Sequence, residues 1–189
     1  MSLLNKWLKE NLTVQAITLN ALVAALYAVI TYACAPLSYD FAQFRFSEAL
    51  NLLVFFNPTY TIGLTLGCLL ANFMSSAGML DVIFGTLATF VSCLLMIGFS
   101  KLIKNLFLSS FIPSIINAIV VPLIIYFASL GTANEVALGA FYFYMAGFVF
   151  LGEFVCITCI GYPIFLTLTK KSKNFCKYAL VTRNLDYKW

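Results

Sequence analysis

Six polar side chains stand in strongly apolar surroundings: Arg45, Glu48, Asn72, Asp81, Asn117 and Glu153. A charged group at membrane depth costs about 3 kcal/mol on insertion scales, so each must be paired, hydrated or put to use. The types are those of recognition: carboxylates accept hydrogen bonds, a guanidinium donates them, and carboxamides do both. Glu153 is the sharpest case, because Gly152 precedes it, Phe150 and Phe154 flank it, and no basic residue lies nearby in sequence. Glu48 and Asn51 share a helical face at spacing three. Arg45 and Glu48 have the spacing to pair with each other at an interface, and Asp81 has a second use in stabilising a helix amino terminus.

Other chemistries find little support. The chain has no histidine and no Gly-rich loop ending in Lys-Ser or Lys-Thr, so it does not hydrolyse ATP by that route. An intramembrane enzyme using Asp81 and Glu153 as acid and base would lack the nucleophile or metal cluster that usually accompanies such a pair. Cys156 and Cys159 are spaced as a redox or metal pair, yet with no second pair they read, like the other four cysteines, as small apolar side chains. No metal, cofactor or nucleic acid is expected, and no catalytic residue is assigned.

The elements that hold these groups follow from composition. At 62% hydrophobic and 10% charged residues, with mean hydropathy +0.97, a chain of 189 residues has too little polar surface for a soluble globule. It reads as an all-α integral membrane protein, a single domain of six helices at about 13–35, 48–57, 60–76, 80–100, 109–130 and 138–169, followed by a basic tail over 170–189. The first apolar run is too long for a cleaved signal, and Pro36 disfavours processing after Ala35.

The second segment is short, about 15 Å at 1.5 Å per residue, before Asn57-Pro58 interrupts it. Fusing it with the third would give five spans and put Lys101 and Lys104 opposite the amino terminus. Six crossings gather Lys6, Lys9, Lys101, Lys104, Lys170, Lys171, Lys173, Lys177, Arg183 and Lys188 on one side, which the positive-inside rule makes cytoplasmic, with both termini. The second helix then belongs near the middle of the bundle, and the polar residues converge in its outer half as a pocket open to the exterior. The outer segment at 36–47 carries Tyr39, Phe41, Phe44 and Phe46, either as a lid folded over that pocket or as an interfacial aromatic belt.

Ala21 and Ala25, with Ala24 and Ala28, form two small-residue pairs at spacing four that allow close helix approach, either within the bundle or against a partner. The chain is too short for two pseudo-symmetric halves, which favours a binding subunit driven by others over a stand-alone ion-coupled carrier.

Ala24-Ala-Leu-Tyr-Ala-Val-Ile-Thr, Phe44-Arg-Phe-Ser-Glu-Ala-Leu, Gly63-Leu-Thr-Leu-Gly-Cys-Leu-Leu-Ala-Asn, Leu80-Asp-Val-Ile-Phe-Gly-Thr-Leu-Ala-Thr and Leu151-Gly-Glu, in that order, resemble the QueT family over about residues 13–170. Members are substrate-binding S components of energy-coupling-factor (ECF) transporters, associated with uptake of queuosine precursors. The resemblance implies a six-helix S component in a bacterial cytoplasmic membrane. It would dock through Ala21, Ala24, Ala25 and Ala28 of its first helix on a transmembrane coupling subunit, with two cytoplasmic ATPase subunits driving its reorientation. The implied ligand is a 7-deazaguanine, with an S component for another vitamin as the alternative. Glu153 would accept the adjacent N–H donors of the guanine-like edge, and Asn72 and Asn117 would meet its other polar atoms. Phe44, Phe46 and Phe150, with Phe154, would cover the ring, and Glu48 or Asp81 would pair with an aminomethyl cation, in competition with Arg45.

Overall fold

A computed structural model describes residues 13–39, 43–130 and 138–172, and every regular element among them is helical. Four helices are long and apolar enough to cross a membrane: α1 (Val14–Ala33), α4 (Asp81–Leu102), α5 (Leu106–Ser129) and α6 (Gly139–Lys171). Two shorter apolar helices, α2 (Phe46–Phe56) and α3 (Tyr60–Asn72), complete the set. The basic positions before residue 13 and after 172, Phe41 and the connection 131–137 lie outside the described residues.

Local signals account for the boundaries. Thr13 caps α1, its Oγ1 accepting the Ala16 N–H at 3.2 Å. Asn105 does the same for α5, accepting the Leu108 N–H at 3.2 Å. Asn57 Oδ1 accepts both the Thr59 N–H at 3.0 Å and the Thr59 hydroxyl at 2.8 Å, a side-chain-closed turn at Asn57-Pro58 that separates α2 from α3 as expected. Gly78 turns the chain from α3 toward α4 at φ +63°, a left-handed conformation that glycine adopts without steric cost.

Helix α3 packs along α1 and against α4, α4 against α5, and α5 along α6. The first turns of α2, Phe46–Asn51, wedge between α1 and the Val155–Gly161 stretch of α6. Leu52, Leu53, Val54, Phe55 and Phe56 are all buried. A helix apolar on every side belongs inside, so the short second segment occupies the bundle's centre. Glycines set the α1–α3 distance: a Cβ on Gly63 would stand 2.6 Å from the Asn20 carbonyl oxygen, and one on Gly67 2.7 Å from Tyr27 Cβ and 2.9 Å from the Ala24 carbonyl oxygen. Asn20 fixes the register, its Oδ1 accepting the Gly63 N–H at 2.7 Å.

The alanine stripe divides at this contact. Ala24 and Ala28 are buried, and Ala24 lies against Gly67 of α3. Ala21 and Ala25 remain on the outer face with Ile17, Leu22 and Val29.

Three stretches depart from α geometry. Phe46–Asn51 is a 3₁₀ helix, and Asp81–Gly85 and Val155–Gly161 are π-helical. Glu48 and Asp81 sit inside such stretches, and Glu153 lies two residues before one. Single-turn π segments often mark functional positions, because they re-aim side chains without ending the helix.

Candidate functional site

An open cavity of about 190 Å³ lies at one end of the bundle, lined by Tyr39, Gln43, Ser75, Ser76, Ala77, Asp81 and the α5 residues Val121, Ile124 and Ile125. That end carries residues 35–39, 43–45 and 73–80. Lys101, Lys104, Lys170 and Lys171 belong to the opposite end, where Phe107 meets Tyr162 edge to face with ring centroids 5.5 Å apart. The cavity and the described lysines therefore occupy opposite ends of the molecule.

Asp81 is the cavity's charged floor. Its Oδ2 accepts from Arg45 Nη2 at 3.2 Å, and both side chains are almost fully buried. Arg45 does not pair with Glu48, the alternative its spacing allowed. It also donates from Nε to the Ser38 carbonyl at 3.3 Å and lies 5.4 Å from the centre of the Tyr39 ring. The guanidinium thus joins the 35–45 segment to the start of α4. Tyr39 adds a second tie, its hydroxyl donating to the Ala71 carbonyl. Phe44 and Phe46 are partly buried but do not line the cavity.

Beneath this pair Glu48 is wholly buried with both oxygens engaged: Tyr27 Oη donates to Oε1 and Asn51 Nδ2 to Oε2. Next to them the Thr31 and Ser47 hydroxyls share a hydrogen bond of 2.7 Å. Sequence reasoning missed Tyr27, which reads as one more aromatic residue of an apolar helix. The available signal was general: a buried tyrosine hydroxyl needs a hydrogen-bonding partner.

Asn72, on α3, donates from Nδ2 to the Asp81 carbonyl at 3.1 Å and to Cys68 Sγ at 3.3 Å, supporting the π turn from behind. Gly85 leaves room for this, since a Cβ there would stand 2.4 Å from Asp81 Oδ1 and 2.8 Å from Asn72 Nδ2.

Glu153 is also wholly buried. Asn117 donates to its Oε1 at 3.0 Å, while Oε2 has no hydrogen-bond partner among the described residues. Asn117 lies one turn below the cavity residue Val121 on α5, which stays helical through Pro122. Phe150 stacks on Phe154 with centroids 6.0 Å apart and planes inclined by 15°, and Phe154 also meets Phe111 at 5.3 Å. Those rings contact one another and are absent from the cavity wall.

The fold therefore brings Arg45 to Asp81, Asp81 to Asn72, and Asn117 to Glu153, with Glu48 held nearby by Tyr27 and Asn51. The arrangement gathers carboxyl, carboxamide and guanidinium groups, the types that form hydrogen bonds and ion pairs with polar matter. Among the described residues no group of three or more histidine, cysteine, aspartate or glutamate side chains is placed to hold a metal ion.

Comparison with known proteins gives this chemistry a family. The sequence profile described as QueT transporter matches residues 17–170, which take in part or all of each of the helices α1–α6 and Arg45, Glu48, Asn72, Asp81, Asn117 and Glu153. A curated protein of Lactococcus lactis subsp. cremoris, named Queuosine precursor transporter QueT, is 43% identical over 86 residues, 44% of this chain. The match spans half the length of that relative. No solved structure matches. Because the profile covers most of the sequence and takes in the entire polar cluster, the chain belongs to the QueT transporter family.

Proposed function

We propose that this protein is the membrane-embedded substrate-binding subunit of an ECF-type importer, taking a 7-deazaguanine queuosine precursor from outside the cell. Six membrane crossings with cytoplasmic termini follow from the positive-inside rule, and the position of the cavity opposite the described lysines supports that orientation. The substrate comes from the name carried by the Lactococcus relative.

The observation that carries a binding role is the state of Glu153, a fully buried carboxyl with one oxygen held by Asn117 and the other without a partner among the described residues. An uncommitted carboxyl oxygen in a low-dielectric interior is costly unless a donor meets it. A guanine-like ligand supplies adjacent N–H donors. In this reading the base passes the cavity, Glu153 accepts from its edge, and the free oxygen of Asn72 and the ring of Tyr39 contribute at the flanks. Glu48 supports Tyr27 and Asn51 rather than the ligand, since both its oxygens are engaged. Purified protein titrated with a 7-deazaguanine is expected to lose more than tenfold in affinity, above about 1.4 kcal/mol, on Glu153→Gln. Unchanged affinity removes Glu153 from the site.

The chain carries no ATP-binding motif, so energy comes from partners: a transmembrane coupling subunit and two cytoplasmic ATPase subunits. The outer face of α1 around Ala21 and Ala25 is the part of the alanine stripe that remains free to meet that coupling subunit. Ala25→Leu is expected to abolish copurification with the coupling subunit while ligand affinity stays within about twofold, or roughly 0.4 kcal/mol. Retention of the complex in that variant would move docking to another face.

A further inference from the structure

We propose that Ser114 is a specificity-determining residue, its hydroxyl donating to a ring carbonyl of the bound solute beside the N–H that Glu153 accepts, so that the two side chains together read the N–H and C=O of a cis-lactam edge. This rests on the binding role given to Glu153 above and adds a second residue and a second contact to it.

The face of α5 that meets α6 is marked by two bonds. Ser110 Oγ shares a hydrogen bond of 2.9 Å with Thr158 Oγ1, and Asn117 Nδ2 donates to Glu153 Oε1 at 3.0 Å. The chain rises from Ser110 to Asn117 where its partner falls from Thr158 to Glu153, so the two helices run antiparallel and touch at both levels. Ser114 stands between those levels, at spacings of four and three from the bonded residues, and therefore on the same face. Three residues of rise put it about 4.5 Å below Asn117. The same spacing continues upward to Val121 and Ile124 in the cavity wall, so Ser114 and Asn117 lie beneath the cavity on one stripe of α5.

The Ser114 hydroxyl is uncommitted. The residue is wholly buried, and its Oγ has no hydrogen-bond partner among the described residues. Thr18, Thr31, Thr65, Ser109 and Ser110 each donate to a backbone carbonyl three or four residues earlier, the ordinary way for a helix to satisfy a hydroxyl. Ser114 does not. Close packing of α5 on α6 asks only for a small side chain, which alanine would supply without burying an unmade hydrogen bond. Glu153 Oε2, about one turn away across the same contact, is unpartnered too. The chemistry of the pair fixes the sense of each contact: an ionised carboxyl oxygen only accepts, whereas a hydroxyl serves either way. A lactam presents N–H and C=O side by side, so a base whose N–H meets Glu153 brings a carbonyl oxygen next to it. That oxygen only accepts, and the hydroxyl must donate.

The test titrates two probes calorimetrically into the full chain in nanodiscs: 7-cyano-7-deazaguanine and its 6-thioxo counterpart, in which sulfur replaces the ring carbonyl oxygen and the N–H groups remain. Sulfur is the weaker acceptor. The unaltered protein is expected to bind the oxo base at least about fivefold tighter than the thioxo base. Ser114→Ala is expected to lower the oxo affinity about fivefold and to leave the thioxo affinity within about twofold, so that the preference largely disappears. A preference that survives Ser114→Ala overturns the proposal, as does equal binding of the two bases by the unaltered protein. If Ser114→Ala does not fold, Ser114→Cys keeps the side-chain shape with a weaker donor and carries the same expectation. Oxo binding that responds to Glu153→Gln but not to Ser114→Ala sinks this inference alone, whereas binding of neither base sinks the ligand reading with it.

Discussion

Arg45→Met is expected to destabilise the folded protein by about 3–5 kcal/mol, because it leaves the Asp81 carboxylate buried without its cation. The penalty comes from the stranded charge more than from the lost attraction. Both side chains are almost fully withdrawn from solvent, and the guanidinium also holds the Ser38 carbonyl and lies beside the Tyr39 ring. Removing Asp81's charge as well, in Arg45→Met with Asp81→Asn, is therefore expected to recover more than half of the loss. Reversible unfolding in mixed micelles, followed by tryptophan-independent helicity, measures both. A single variant within about 1 kcal/mol of the parent would show that water reaches the pair freely, as it does for surface ion pairs.

The second large effect concerns helix separation. Gly67→Leu is expected to cost about 3 kcal/mol, the upper end of the usual range for overpacking. The added atoms meet Ala24 and Tyr27 at its Cβ, neither of which can swing aside as the tip of a long side chain would. Helix α1 must move off α3, and Tyr27 then loses its contact with Glu48, uncovering one carboxylate oxygen in the interior. Loss of stability with no change in the affinity of the surviving folded fraction would show that the α1–α3 contact is independent of the site. Coupled loss of both is the expected result.

These two cases show how far the sequence reached. Hydropathy is a local, additive signal, and it indicated an all-helical membrane bundle, in keeping with the four long apolar helices and the shorter, buried α2. The cost of an isolated carboxylate is local too, and it pointed to Glu153, Asp81 and Glu48. Pairing is different. Whether Arg45 meets Glu48 three residues on or Asp81 thirty-six residues on depends on where α4 begins in space, and nothing in either segment encodes that distance. The alanine stripe has a similar limit. Spacing four identifies a face that permits close approach, but only the partner helix shows which of its residues are covered, as Gly67 of α3 covers Ala24. The aromatic residues show the same limit: Phe150 and Phe154 flank Glu153 in sequence and in space stack on each other, because i and i+4 side chains meet on one side of a helix.

The π-helical stretch Val155–Gly161 has a consequence for chain length. Its hydrogen bonds span one residue more than those of an α-helix, so α6 contains a residue that regular geometry would not accommodate. Each residue turns an α-helix by about 100°. A π-helical residue turns less, so the extra residue is taken up without disturbing the angular relation of the two flanking halves. Deleting one residue inside Val155–Gly161 is therefore expected to let the stretch close into α geometry with Glu153 still facing Asn117. The same deletion in the regular turns between Tyr162 and Lys171 would instead turn Lys170 and Lys171 by that angle against Glu153, so the tolerance of α6 to a change of length is concentrated in its π turn.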